Sequence, residues 1–317
     1  MTAPASPEHP GLHAEHGDRH DAHQGHQQSP WPSAAEEPTQ EPSLESPQMA
    51  SASYRLAYAD IDFLRRAELR PVRLQLELLK AELVQQEAGI DSTVVIFGST
   101  RIPEPEAARA RLRAAEDAAA AAPDDPELAR RAAVARRIHA KAKYYDEARR
   151  LAAMITRVSQ RNGHRDYVVV TGGGPGIMEA ANRGAFDAGG KSIGLRIMLP
   201  REERPNEYVT PELTLQFHYF AVRKMHFILR AKALVVFPGG YGTLDELFET
   251  LALIQTGKVR RVPVVLFGRE YWHRIVDFDA MVEEGTISAA DRELVRFVEC
   301  ADEAWTAIQD CWSDFAR

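Results

Sequence analysis

Short runs of Val, Ile and Leu recur along this chain, and each gives way to a stretch with helical spacing. The runs are Thr93 to Phe97, Tyr167 to Val170, Ser192 to Leu199, Ala233 to Phe237, Val262 to Phe267 and Val295 to Cys300. Between and after them lie Ile177 to Ala188, Tyr219 to Lys232, Leu244 to Gln255, Tyr271 to Glu283 and Glu303 to Asp314, all with helical spacing of apolar residues. A run without polar alternation is buried on both faces. Strands of that kind, alternating with helices, pair in parallel beneath two helical layers.

The expected class is therefore α/β: a Rossmann-like, doubly wound parallel sheet with helices on both faces. Ligands on such sheets bind beyond the carboxyl ends of the strands, near the switch point. The glycine-containing exits at Gly98, Gly172 and Gly239 are expected to share that edge. One catalytic domain spans 54–317. Within it, 54–90 reads as an N-terminal helical extension, with a helix over 58–86 that Pro71 kinks or splits. The Ala/Arg/Glu/Leu-rich stretch 104–162 reads as an insertion of two helices, the second long, broken at Pro123-Asp124-Asp125-Pro126.

Residues 1–53 are different in kind. Rich in Pro, Ser, Gln, Glu and His, they cannot bury enough apolar surface to offset chain entropy, and they read as a disordered, low-complexity tail. His9, His13, His16, His20, His23 and His26 form a tract that could hold metal weakly, but without fixed geometry it reads as solvated chain. Residues 1–50 hold eight of the 46 acids and one of the 39 bases. The tail thus carries the chain's net charge of −7, and the neutral remainder is not a nucleic-acid binder by bulk charge. Cys300 and Cys311 fit no metal spacing, which suits a reduced, cytoplasmic protein. No secretory signal or membrane-length apolar run is recognisable, so no membrane partner is expected.

The chemistry concentrates in Phe237-Pro238-Gly239-Gly240-Tyr241-Gly242-Thr243-Leu244-Asp245-Glu246. A buried strand runs into a glycine turn and then a helix. The glycines let backbone N–H groups approach an anion, the helix start adds partial positive charge, and Thr243 adds a hydroxyl. Asp245 and Glu246 then put carboxylates in the first turn, which suggests chemistry on a phosphosugar beyond simple binding. Glu249 shares their helix face and reads equally well as an ordinary exposed acid. His218, Tyr219, Arg223, Lys224 and His226 form a polar cluster on an otherwise apolar helix, where a buried Arg needs an anionic partner such as a phosphate or Glu246.

Two other motifs fail in detail. Gly172-Gly173-Gly174-Pro175-Gly176-Ile177 resembles a dinucleotide fingerprint, but Ile177 stands where Gly or Ala is required, and no acid ends the next strand. Ala185 to Ser192 resembles a Walker A loop, but it begins with Ala and lies between a helix end and a strand start, the reverse of the required context. It reads as a helix C-cap.

Together, Pro238 to Glu246, Arg223-Lys224-Met225, Gly172 to Glu179 and Pro200-Arg201-Glu202 resemble the Lonely Guy (LOG) family of cytokinin riboside 5′-monophosphate phosphoribohydrolases. The likeness covers about 93–312, and the long chain looks like the longer bacterial type. Some members carry an old lysine decarboxylase label, but no pyridoxal phosphate site is recognisable in this sequence. The resemblance implies that Arg223 and Glu246 are the catalytic pair. Gly239, Gly240, Tyr241, Gly242 and Thr243 would hold the 5′-phosphate, and Gly173, Gly174, Glu202, Lys224 and Asp245 would also contact substrate. It implies cleavage of the N-glycosidic bond of AMP or an N6-substituted AMP, no metal or cofactor, and a homodimer or larger homo-oligomer. The competing class is a non-catalytic nucleotide-binding or sensor protein on the same sheet, which would need neither Glu246 nor Arg223. An NAD-dependent oxidoreductase is disfavoured by the missing acid.

Overall fold

The computed structural model describes residues 46–160, 165–200 and 204–315. The histidine tract, Arg201 and Glu202 lie outside the described residues. The chain divides after Arg66 into two units. In the first, the described residues form a short turn of 3-10 helix, Ala52–Tyr54, and α1 (Ile61–Leu64), capped where the Asp60 carboxylate accepts from the Asp62 and Phe63 N–H groups at 3.1 Å.

The second unit holds the sheet. Its elements run α2 (Arg70–Glu87), β1 (Thr93–Phe97), α3 (Pro105–Ala121), α4 (Pro126–Lys141), α5 (Lys143–Ser159), β2 (Val168–Thr171), α6 (Ile177–Asp187), β3 (Ser192–Ile197), β4 (Thr214–Phe217), α7 (Phe220–Leu229), β5 (Ala231–Val236), α8 (Tyr241–Gln255), β6 (Val264–Phe267), α9 (Arg269–Ile275), α10 (Phe278–Glu283), α11 (Ala289–Arg292), β7 (Val295–Val298) and α12 (Ala301–Phe315). Among the described residues seven strands lie in the order β4-β3-β2-β1-β5-β6-β7, all parallel. The winding reverses between β1 and β5, which makes their carboxyl ends the switch point.

Alternate strand residues feed two cores. Val94, Ile96, Val169, Val235 and Val265 pack with Tyr145, Leu151 and Ile155 of α5 and Ile308 of α12. Val95, Phe97, Val170, Leu234 and Leu266 pack with Phe227 of α7, Leu247 of α8 and Trp272 of α9. Each of these fully buried aliphatic side chains contributes about 1.5–3 kcal/mol.

Several local expectations change. β4 escaped notice because it is an edge strand: Leu215 and Phe217 are buried while Gln216 is exposed, so its four residues alternate and form no apolar run. The 104–162 stretch makes three helices, not two. The long helix breaks at Ala142 because α5 must turn its apolar face onto the sheet, while the α3–α4 hairpin buries only Ala108 and Ala132 among its apolar residues. Of the two outcomes open at Pro71, a kink or a split, the helix is split: Pro71 lies in the first turn of α2, where its missing N–H costs nothing. The expected 271–283 helix splits into α9 and α10, with the Asp277 side chain capping the second. No helix among the described residues is long and apolar enough to cross a membrane.

Candidate active site

The site grows from the exits of β1 and β5. Phe237 N–H donates to Phe97 O at 2.8 Å, and Ser99 N–H donates to Pro238 O at 3.0 Å, so the two exit loops are knitted together at the switch point. A Cβ on Gly239 would overlap the folded-back Thr243 side chain, so only glycine permits that turn. Tyr271 hydroxyl donates to Gly239 O at 2.5 Å and fixes the loop from behind.

α8 begins at Tyr241, three residues earlier than the apolar spacing suggested, so Asp245 and Glu246 fall in its second turn. Its first intrahelical bond is Leu244 N–H to Gly240 O at 3.0 Å, and no side chain among the described residues caps it. The N–H groups of Tyr241, Gly242 and Thr243 therefore remain at a positive helix end, the arrangement that receives anions. The Tyr241 side chain is 93% exposed.

These residues form one wall of an open cleft of about 570 Å³. Ser99, Thr100 and Arg101 supply a second wall, and Met178, Phe220 and Arg223 a third. Glu246 lies deep, only 6% exposed. With Val95, Phe227 and Val262 it also lines a small, mainly apolar cavity. This burial pushes its pKa up to about 7. Lys224 and Arg223 pull it down, and Glu249 and Asp245 push it up.

Arg223 is held by its Nε, which donates to Leu195 O at 2.7 Å, and its guanidinium lies 5.0 Å from the Phe227 ring centroid. Its Nη groups have no acceptor among the described residues, which leaves them for a ligand. Burial lowers its pKa, against the pull of Glu246. A Cβ on Gly172 would come within 2.7 Å of Arg223 Nη2 and 2.8 Å of Met178 Sδ, so the bare backbone there makes room for the guanidinium.

The other expected site residues divide. Gly240, Tyr241, Gly242, Thr243, Asp245, Glu246 and Arg223 line one cleft. Lys224 faces α8, bridging Asp245 at 3.0 Å and Glu249 at 2.9 Å. Gly173 and Gly174 are set back from the cleft wall: their carbonyls accept from Arg196 and from Asn206. The polar cluster on α7 also divides, with His226 buried against Phe217, away from the cleft. Sequence reasoning missed Thr100, Arg101, Met178 and Phe220. The signal for the first two was available, since the exit of the first strand of a doubly wound sheet lies at its switch point.

Comparison with known proteins places the chain in a family. The cytokinin riboside 5′-monophosphate phosphoribohydrolase LOG1 of Arabidopsis thaliana is 31% identical over 151 residues, covering 46% of this chain and 69% of that protein. The chain belongs to the LOG family. LOG3 of Arabidopsis thaliana is 31% identical over 46% of this chain and 68% of its own. A probable LOG4 of Oryza sativa subsp. japonica is also 31% identical, over 46% and 64% respectively. Residues 178–308 match a family model described as possible lysine decarboxylase. Among solved structures, a molybdenum cofactor carrier protein from Chlamydomonas reinhardtii is 24% identical, covers 54% of this chain and 89% of its own, and has a TM-score of 0.38, too loose to bear on the site. Among the described residues, α7 and α8 present charged groups to the cleft, together with Arg101 on the loop after β1.

Proposed function

We propose that this protein hydrolyses the N-glycosidic bond of a nucleoside 5′-monophosphate, AMP or an N6-substituted AMP, to the free base and ribose 5-phosphate. The observation that carries the reading is Glu246: a carboxyl buried in the cleft, with a pKa near neutrality, beside a helix start that no side chain among the described residues caps and the Nη groups of Arg223, which have no acceptor among those residues.

The phosphate sits at the N–H groups of the α8 start, with Thr243 adding its hydroxyl. Binding energy from this remote group fixes the sugar over Glu246. As the bond to the base stretches, the sugar gains oxocarbenium character. Glu246, as carboxylate, stabilises that charge and takes a proton from the attacking water, whose oxygen bonds to the anomeric carbon; that proton then passes by way of water in the cleft to the departing base nitrogen, which regenerates the carboxylate. Arg223 contacts the nucleotide and helps hold the Glu246 charge. Lys224, held between Asp245 and Glu249, draws the Glu246 pKa down. The protein acts as a homodimer or larger homo-oligomer in the cytoplasm. Exposed Leu76, Leu79 and Leu83 on α2, with Met225 and Leu229 on α7, support self-association.

The test is incubation with AMP and with its N6-isopentenyl analogue, following free base and ribose 5-phosphate by chromatography. Glu246→Gln is expected to bind AMP yet lose turnover by about 100-fold or more. Binding of both nucleotides without release of base by the wild-type protein would favour the sensor reading instead.

A further inference from the structure

We propose that α2 is a brace that sets the position of α7, and that Glu77 is a positioning residue for Arg223. The functional consequence rests on the reading of Arg223 as an active-site group. α2 contributes no strand and no residue to the cleft, yet it grips α7 at both ends.

At the start of α7, Glu77 Oε1 accepts from His218 N–H at 2.8 Å and Oε2 accepts from Tyr219 N–H at 3.1 Å. Tyr219 is the N-cap residue, and its own side chain makes no capping bond. One carboxylate therefore satisfies two backbone donors and sets its charge against the positive helix end. At the far end, Arg230 is the C-cap residue, and its guanidinium is bidentate to Glu82 of α2 at 2.7 and 2.6 Å. Arg230 Nε also donates to Ile90 O at 3.2 Å. Between the two clasps, Leu74, Leu78 and Ala81 join the same core as Val222 and Phe227.

Two polar clasps at opposite ends define both the axial position and the rotation of a helix, which apolar packing alone leaves softer. Arg223 needs that precision. Its backbone N–H is bonded to Tyr219 O, one turn from the Glu77 clasp. Its guanidinium has the Leu195 carbonyl on one side and the bare Gly172 backbone on the other. A small shift of α7 moves the guanidinium off both, and a misplacement of about 1 Å in a reacting site can cost on the order of 100-fold in rate.

The test uses full-length Glu77→Gln, which keeps one acceptor, and Glu77→Ala. Three readouts are followed: amide hydrogen exchange over 218–223, kcat and KM for AMP, and the pH profile of kcat/KM. Exchange is expected to quicken about tenfold or more in the Ala variant and less in the Gln variant. The kcat is expected to fall about tenfold while KM stays within about twofold. The limb assigned to Glu246 is expected to move to higher pH. Arg223 and Lys224 on α7 pull that carboxyl's pKa down, whereas Asp245 and Glu249 on α8 stay to push it up. Variants that fold with wild-type exchange, kcat and limb overturn the proposal. If the Ala variant does not fold, the Gln variant carries the test alone. If the wild-type protein releases no adenine, the active-site reading fails by itself, and the exchange data still decide whether Glu77 braces α7.

Discussion

Replacing Glu246 by Gln is expected to stabilise the ligand-free protein while removing its turnover. The folded carboxyl has a pKa of about 7 against 4.5 for an ordinary one, chiefly because burial disfavours its charge. Between those values the folded state holds a proton that the unfolded state has lost. Wild-type stability therefore falls as pH rises from about 4.5 to about 7, and the loss is complete above that. The shift corresponds to about 3 kcal/mol. Gln keeps the shape and has no proton to lose, and the other titrating groups are common to both proteins. The stability gap between variant and wild type should thus widen by about 3 kcal/mol across this window and stay level above it. Urea unfolding at pH 4.5, 6, 7 and 8 reads the gap directly. In thermal melts it corresponds to a Tm difference growing by about 6–12 °C. A gap that does not change with pH would refute the reasoning, because it would mean that the Glu246 carboxyl is not desolvated in the folded state.

Three further outcomes are expected. Activity of the wild-type enzyme should rise as pH increases through about 7, since the carboxylate is the working form of Glu246, and Lys224→Met should move that limb up by about one unit; pH profiles of kcat/KM check both. Gly172→Ala should cost about tenfold or more in kcat/KM with little change in fold, because the added methyl displaces the Arg223 guanidinium and Met178; a variant with wild-type kinetics would show that Arg223 need not occupy that position. Arg101→Met removes a cation from the cleft wall and should raise the KM for AMP severalfold with kcat nearly unchanged, an effect that shrinks as salt is raised; steady-state kinetics at two ionic strengths decide it.

Much of the site was legible because its signals are local. Gly239 to Glu246 encodes a strand exit, a turn and a helix start within ten residues, and its neighbours in sequence are its neighbours in space. Arg223 stood out because a charged residue lay among Val222, Phe227 and Ile228. Arg101 carried no such contrast, and its only signal was its place just after the first strand; Met178 lies inside the Gly172 to Glu179 motif, where only the glycines were weighed. β4 was illegible for the opposite reason, as four alternating residues at a sheet edge match a loop as well as a strand. The split of the polar cluster on α7 was equally hidden. His226 and Lys224 are two residues apart, but only the packing of α2 and α8 decides which one is buried and which meets the acids.

The chain alone determined the alternation of buried strands and helices, the parallel sheet and the anion-receiving turn, because each rests on hydrophobic periodicity and glycine placement within a few residues. The tertiary structure decided the strand order, which brings the exits of β1 and β5 side by side, and the state of Glu246. A carboxyl's pKa depends on what removes water from it, and here that is burial, which arises only when the sheet and its helices close together around α8.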